Sequence, residues 1–422
     1  MNRMAQEGIY TDVHPRKQWA ALFVAVLSIV AAGSFTTLAG LLSTNFESEF
    51  GWTASAMSLG IGVNMALYGL TAPFAIFAMQ KYGIRRVSVI ALCILIAGSA
   101  VCLIPNLALF NFSWGLLVGL GTGTLTMAYG ALVARTWFGG RQGTVTGIVT
   151  AAAVVGQFAL LPLWAEAADM FGWRAPLIGS AVLAGLAIVA NIALMGDERK
   201  YAPNAVPAAE VEKRRFVDVF HVVYEAVRSR PFWTLAFLFA ICGATTNGVM
   251  WSHFTPAVCG VGMSATAASS VLFLIGVFNV VGTMASGWLT DRISPRMILA
   301  FVFFARAGTL FWLPLIISSD FDPQIVTFGI LFGILDVATV PPVIALCNRA
   351  FGDNGPAVFG WVNAVHQVGA GAMAFSGGLI RTNFGSYDPM WIATGVLCVI
   401  AAVMVYSSRY PAYRPAQAAS SA

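Results

Sequence analysis

Charge is scarce in this chain. Asp, Glu, Lys and Arg make up 10% of its 422 residues, whereas 58% are apolar and the mean hydropathy is +0.79. An ordinary soluble domain is about 25% charged, so no water-facing surface of normal composition could cover this sequence, and it belongs in a bilayer in several passes. Histidine is sparse too. His14, His221, His253 and His366 show no metal-ligand spacing. The six cysteines, Cys93, Cys102, Cys242, Cys259, Cys347 and Cys398, stand singly without a CxxC, which leaves core filling rather than disulfide or metal chemistry. No GKS or GKT is present, so an ATP-driven pump is unsupported. GLGTG at 119–123 lies inside an apolar segment with no strand before it. Its glycines suit close helix packing rather than a phosphate loop. No cofactor, metal or catalytic constellation is expected, and the chain does not read as an enzyme. The net charge of +5 and pI near 9.0 come from basic residues in short loops between apolar segments. That pattern concerns membrane orientation and gives no nucleic-acid surface.

A spanning helix needs about 20 residues at about 1.5 Å each. Apolar segments of that size fall near 19–42, 54–79, 88–106, 110–136, 144–166, 173–196, 232–256, 264–287, 297–317, 325–349, 357–380 and 388–406, twelve in all. The first has no convincing cleavage site and reads as a retained helix. Of the 23 Lys and Arg, only Arg174 and Arg381 fall on the side opposite the termini, and Arg306 alone lies within the membrane. The positive-inside rule therefore predicts cytoplasmic termini, and the short loops suit a bacterial cell membrane. The long interior connection, 197–231, separates six helices from six. The expected plan is an all-α membrane protein with a tail at 1–18, bundles at 19–196 and 232–406 joined by a cytoplasmic linker, and a tail at 407–422. Gly139, Gly147 and Gly156 correspond to Gly352, Gly360 and Gly369 at a constant offset of 213, whereas Gly143 falls opposite Pro356. A duplicated unit is the inference. Repeated bundles rocking about a shared site are a common physical solution for secondary transport.

Two loops carry a resemblance. GWLTDRISPR, with Gly287, Asp291, Arg292 and Arg296, follows the eighth segment, and IFAMQKYGIRR, with Lys81, Gly83, Arg85 and Arg86, follows the second. They resemble the GxxxDRxGxRR signature of the major facilitator superfamily, with Ser294 in place of a glycine and Gln80 at the acidic position of the earlier copy. The resemblance spans about 19–406 and implies twelve helices in two six-helix bundles, with these basic loops forming a cytoplasmic gate. An acidic residue at a helix end can bond basic side chains and backbone donors, so the earlier copy is expected to hold its gate with less charge pairing. Within the superfamily, ESEFGWTAS at 47–55 resembles the short outer loop of the monocarboxylate and oxalate transporter branch. That branch usually has a functional arginine on its eighth helix. Here the stretch 264–287 is uncharged, with Asn279 and Thr283 in the middle.

Arg306 and Asp336 are the two firm charges near mid-membrane, each about ten residues from a segment end and at similar depth. Charges there need partners or water. One reading is a structural pair between the ninth and tenth helices. Another gives Arg306 a substrate carboxylate in one state and Asp336 in another, and a third makes Asp336 a carrier of the coupling proton. Pro341 and Pro342 lack donors, so the tenth helix is expected to bend after Thr339. On the eleventh, Asn363, His366 and Gln367 must find partners by interhelical bonding or by lining a hydrated cavity. His366 could relay a proton. Asn64 and Tyr68 share a face of the second helix, and Thr122, Thr126 and Tyr129 form a stripe on the fourth. Gln157 on the fifth, with Asn247 and Trp251 on the seventh, completes the possible lining.

The leading expectation is a secondary active transporter of a small organic acid, a mono- or dicarboxylate, by proton symport or anion exchange. A proton-coupled drug or organic-cation exporter using Asp336 is the alternative. The expected partners are the substrate anion, protons or a counter-anion, and the lipid bilayer. A monomer suffices to form the pathway.

Overall fold

The structure is a computed structural model that describes residues 15–138, 142–204 and 218–408. Among the described residues every regular element is helical. Gly139, Arg141 and the basic cluster Lys213, Arg214 and Arg215 lie outside the described residues, as do the tails at 1–14 and 409–422.

Among the described residues eleven helices are both long and apolar enough to cross a membrane. They are α1 (Pro15–Phe50), α2 (Ala54–Tyr82), α3 (Ile84–Cys102), α4 (Leu107–Trp137), α5 (Gly147–Phe171), α6 (Arg174–Leu194), α7 (Arg230–Cys259), α8 (Ala265–Thr290), α9 (Pro295–Ile316), α10 (Pro323–Phe351) and α12 (Asp388–Ser407). The twelfth, α11 (Gly355–Phe384), has 30 residues. It meets the length but falls short in hydropathy, because its interior is glycine, alanine and amides. It is also the helix with the most extensive neighbour: α2 packs along it from end to end. Gly62 and Gly371 allow the approach, since a Cβ on Gly62 would stand 2.7 Å from the Gly371 carbonyl oxygen. A helix facing protein rather than lipid can give up hydropathy for small residues.

The bundles meet along α2–α11, α5–α8 and α1–α7. The repeat glycines show why their spacing recurs. Gly156 brings α5 against Val30 of α1, and Gly369 brings α11 against Ala240 of α7, in both cases leaving no room for a Cβ. Gly147 and Gly360 face open space.

The FGW loop is a packed corner. Gly51, at φ 67°, closes α1 with its amide on Glu47 O, which carries that helix to Phe50 rather than the expected 42. Phe50 and Trp52 meet at 5.1 Å between ring centres, and both pack on Phe46. A second FGW, at 171–173, reaches the same cluster, with Trp173 edge-on to Phe50 at 5.5 Å.

At the opposite end of the molecule lie the two basic loops, hence "the basic end". There the second halves of α4 and α10 pack within their own bundles and scarcely touch one another. A helix at Asp218–Ala226 bridges α2 and α11, its Phe220 lying 5.4 Å from Phe74 and 5.9 Å from Trp361.

Candidate functional site

Four helices of the first bundle line a small recess at mid-span, with a cavity volume of about 10 Å³. Its walls are Ile29, Ala32, Gly33 and Thr36 of α1, Tyr68 of α2, Thr122, Leu125, Thr126 and Met127 of α4, and Ala153 and Gln157 of α5. The pocket exists because three of these helices are irregular. α1 breaks at Thr37, whose hydroxyl donates to the Gln157 carbonyl at 2.7 Å. α5 widens into a π turn at Val155–Ala159, and α4 stops at Thr124 and restarts at Met127. No lining side chain is charged. Thr36 and Thr122 spend their hydroxyl protons on Gly33 O and Val118 O, and Thr126 caps the restarted helix by accepting from the Ala128 amide. Tyr68 and Gln157 lie in its wall within hydrogen-bond reach of each other. Met127 is half exposed.

Tyr68, Gln157, Thr122 and Thr126 are thus brought together as the sequence suggested, and Thr36 joins them. Tyr129 does not. The α4 break turns the second half out of register, so the stripe with Thr122 and Thr126 is interrupted and Tyr129 is wholly buried inside the bundle, near Ser28 and Ser88. GLGTGT before the break is the sequence signal, three glycines that weaken helix just ahead of it. Asn64 is also diverted: its amide donates to Trp114 O at 2.8 Å, within the π turn of α4 at Ser113–Val118.

The charged residues form a separate group in the second bundle. Arg306 is fully buried between α7, α9 and α10. Its guanidinium donates to the Leu335 and Asp336 backbone carbonyls at 2.5 and 2.7 Å, to Cys242 Sγ at 3.3 Å and to Thr245 Oγ1 at 3.4 Å. The Asp336 carboxylate instead accepts from Asn279 Nδ2 at 3.1 Å. Arg306 thus bonds the α10 backbone, while the Asp336 carboxylate faces Asn279. The bend is corrected. The first part of α10 ends at Asp336 and the second begins at Val340, so the break precedes Thr339 rather than following it. The cause lies in the donors. Pro341 and Pro342 cannot bond back to Val337 and Ala338, and the Val340 amide bonds to Val337 instead of Asp336. Arg306 takes two of the released carbonyls, and Ser286 Oγ of α8 takes Ala338 O.

Toward the seam between the bundles, Asn247 Nδ2 donates to Gln367 Oε1 at 3.3 Å. Asn247 lies in a long π segment, Ala244–Phe254. Trp251 stands edge-on to Phe158 of α5 at 6.0 Å. His366 is buried against Phe239 at 4.6 Å, and its Nδ1 has no partner. Asn363 is half buried on the same helix.

At the basic end, a carboxylate does serve the earlier loop, but from a distance. Glu198 Oε1 accepts the Ile84 amide at 2.8 Å, stabilising the positive end of α3 in place of the residue that Gln80 replaces. The acidic residue that caps this loop thus comes from 114 positions away. Next to it, Asn204 donates to Arg135 O and Gln18 to Trp137 O, closing the end of α4. Lys17 lies 3.2 Å from the centre of the Tyr201 ring, and bonding to Lys17 holds that phenol below its usual range. Lys81 stands 5.6 Å from the Phe77 ring, while Arg85 and Arg86 are exposed. In the later loop Arg292 lies over Trp288 at 3.9 Å, and Arg296 donates to Tyr406 O near the end of α12. Asp291 is the residue following α8 and is exposed.

The comparisons agree with this architecture. The sequence pattern of the Major Facilitator Superfamily matches residues 24–370 and 260–422. The chain belongs to that superfamily and is a multi-pass membrane transporter. It is 23% identical over 399 residues to the uncharacterized MFS-type transporter YcxA of Bacillus subtilis, covering 93% of each chain. It is 24% identical over 393 residues to monocarboxylate transporter 12 of Rattus norvegicus, covering 86% of this chain and 78% of the relative. Among solved structures, a POT family transporter in complex with 5-aminolevulinic acid superimposes with a TM-score of 0.71 at 13% identity, over 95% of this chain and 97% of that one.

Proposed function

We propose that this transporter moves a small organic acid, a mono- or dicarboxylate, by alternating access, together with a proton rather than in exchange for another anion. The observation that carries the reading is the mid-span pocket of hydroxyl and amide groups with no fixed charge. A bare anion there would lack compensation at the costliest depth of the bilayer, whereas an acid accompanied by its proton is neutral overall. Tyr68 and Gln157 can together offer donors and acceptors to a carboxyl group. The distant likeness to monocarboxylate transporter 12 supports the same substrate class. Arg306, committed to backbone carbonyls, does not enter as the substrate's cation. The organic-cation reading draws no support from Asp336, which is buried beneath Asn279. The charge bias favours a bacterial cell membrane with the basic end cytoplasmic.

Proteoliposome uptake of radiolabelled mono-, di- and aromatic carboxylates, competed by organic cations, tests the proposal. Uptake should rise with an inwardly directed proton gradient. Tyr68→Phe and Gln157→Leu should each raise KM about tenfold, the cost of about one hydrogen bond. Competition by cations alone, or uptake indifferent to the proton gradient, would overturn it.

A further inference from the structure

The breaks in α4 and α10 occupy the same place in the repeat. The second half of α4 begins at Met127 after Thr126, and that of α10 at Val340 after Thr339. Both pairs differ by 213, the offset that relates Gly156 to Gly369. A duplicated break, in the two helices whose second halves stand apart at the basic end, marks where those halves swing. Yet the two are built differently. The α4 break lies open to the pocket, while the α10 break is clasped by Arg306 and Ser286.

We propose that Arg306 is a positioning residue of the transport cycle, which makes the α10 break a defined hinge by holding the carbonyls that the break releases. Three observations support it. The two shortest bonds of the guanidinium go to the last carbonyls of the first half, at Leu335 and Asp336. Its other bonds, to Cys242 and Thr245, anchor that point to α7. Within the break the Val340 amide bonds to Val337 O, and the second half opens with the Val343 amide on Thr339 O, so a swing about this point loads those two bonds. A guanidinium suits the task because its planar fork serves several acceptors at once, which an ammonium cannot do with the same geometry. The inference rests on the chain being an alternating-access transporter and is independent of what it carries.

Hydrogen–deuterium exchange of the full chain in lipid nanodiscs, with no substrate present, reads the hinge directly. In Arg306→Gln the Val340 and Val343 amides should exchange about tenfold faster, because charge-assisted bonds to the released carbonyls are lost. The matching amides of α4, Met127 and Gly130, should stay unchanged. Arg306→Lys should fall between the two. Ser286→Ala, a neutral change that frees only Ala338 O, should raise exchange about threefold and serves where the arginine variants fail to fold. Unchanged exchange at Val340 and Val343 in these variants would overturn the proposal. So would a rise spread evenly over α9, α10 and α12, which is what a merely structural arginine would give. Because no substrate enters the measurement, its failure is separate from any failure of the organic-acid reading.

Discussion

α4 and α10 carry the same interruption at the same repeat position and use it for different ends. In α4 the residue three places before Thr126 is Gly123, which lets the helix press against the Tyr68 backbone and leaves an uncharged recess beside it. In α10 the corresponding residue is Asp336, and the break is surrounded by donors from Arg306, Asn279 and Ser286. The bend thus recurs at one repeat position, beside an uncharged recess in one copy and among the protein's own donors in the other. The second is already filled by the protein's own groups.

The largest effect should come from imposing one copy's residue on the other. Gly123→Asp places a Cβ within about 2.8 Å of the Tyr68 carbonyl oxygen and an unpaired carboxylate at mid-span, at a cost of about 3–5 kcal/mol. Folded yield in detergent should collapse. Next, Asn279→Leu strips the Asp336 carboxylate of its amide donor and should cost about 2 kcal/mol in thermal unfolding. The smallest and most discriminating contrast is between the two threonines. Thr126 caps its helix through its hydroxyl, whereas Thr339 turns its hydroxyl to Cys242 Sγ at 3.1 Å. Thr126→Ala should therefore lose about 1 kcal/mol, and Thr339→Ala a few tenths. Equal losses would mean that the two breaks are closed in the same way.

The twelve segments, the resemblance to the superfamily and the depth of Arg306 and Asp336 were legible because hydropathy and charge position act locally along the chain. The α10 break was foreseen from Pro341 and Pro342 but misplaced by about one turn, since a proline frees carbonyls four residues earlier rather than bending the chain at itself. What Arg306 binds was not legible: its acceptors are main-chain atoms whose availability depends on the break. Glu198 escaped notice because it caps a helix distant in sequence. Tyr129 leaves the expected stripe because the helix stops at Leu125, where nothing stronger than neighbouring glycines announces the stop. By contrast Tyr68 and Gln157 met in one pocket because each lies on a helix whose facing side is set by small neighbours, Gly69 and Gly156 among them.

The low hydropathy of α11 bears on how the protein is made. A segment with Asn363, His366 and Gln367 along its length gains little by partitioning into lipid alone. Its stable place is the groove formed by α2 and α7, which the ribosome has already delivered by the time α11 emerges. Biogenesis of the second bundle therefore depends on the first as a template, and changes that enlarge Gly62 or Gly371 should be felt as failed membrane integration before any effect on turnover can be seen.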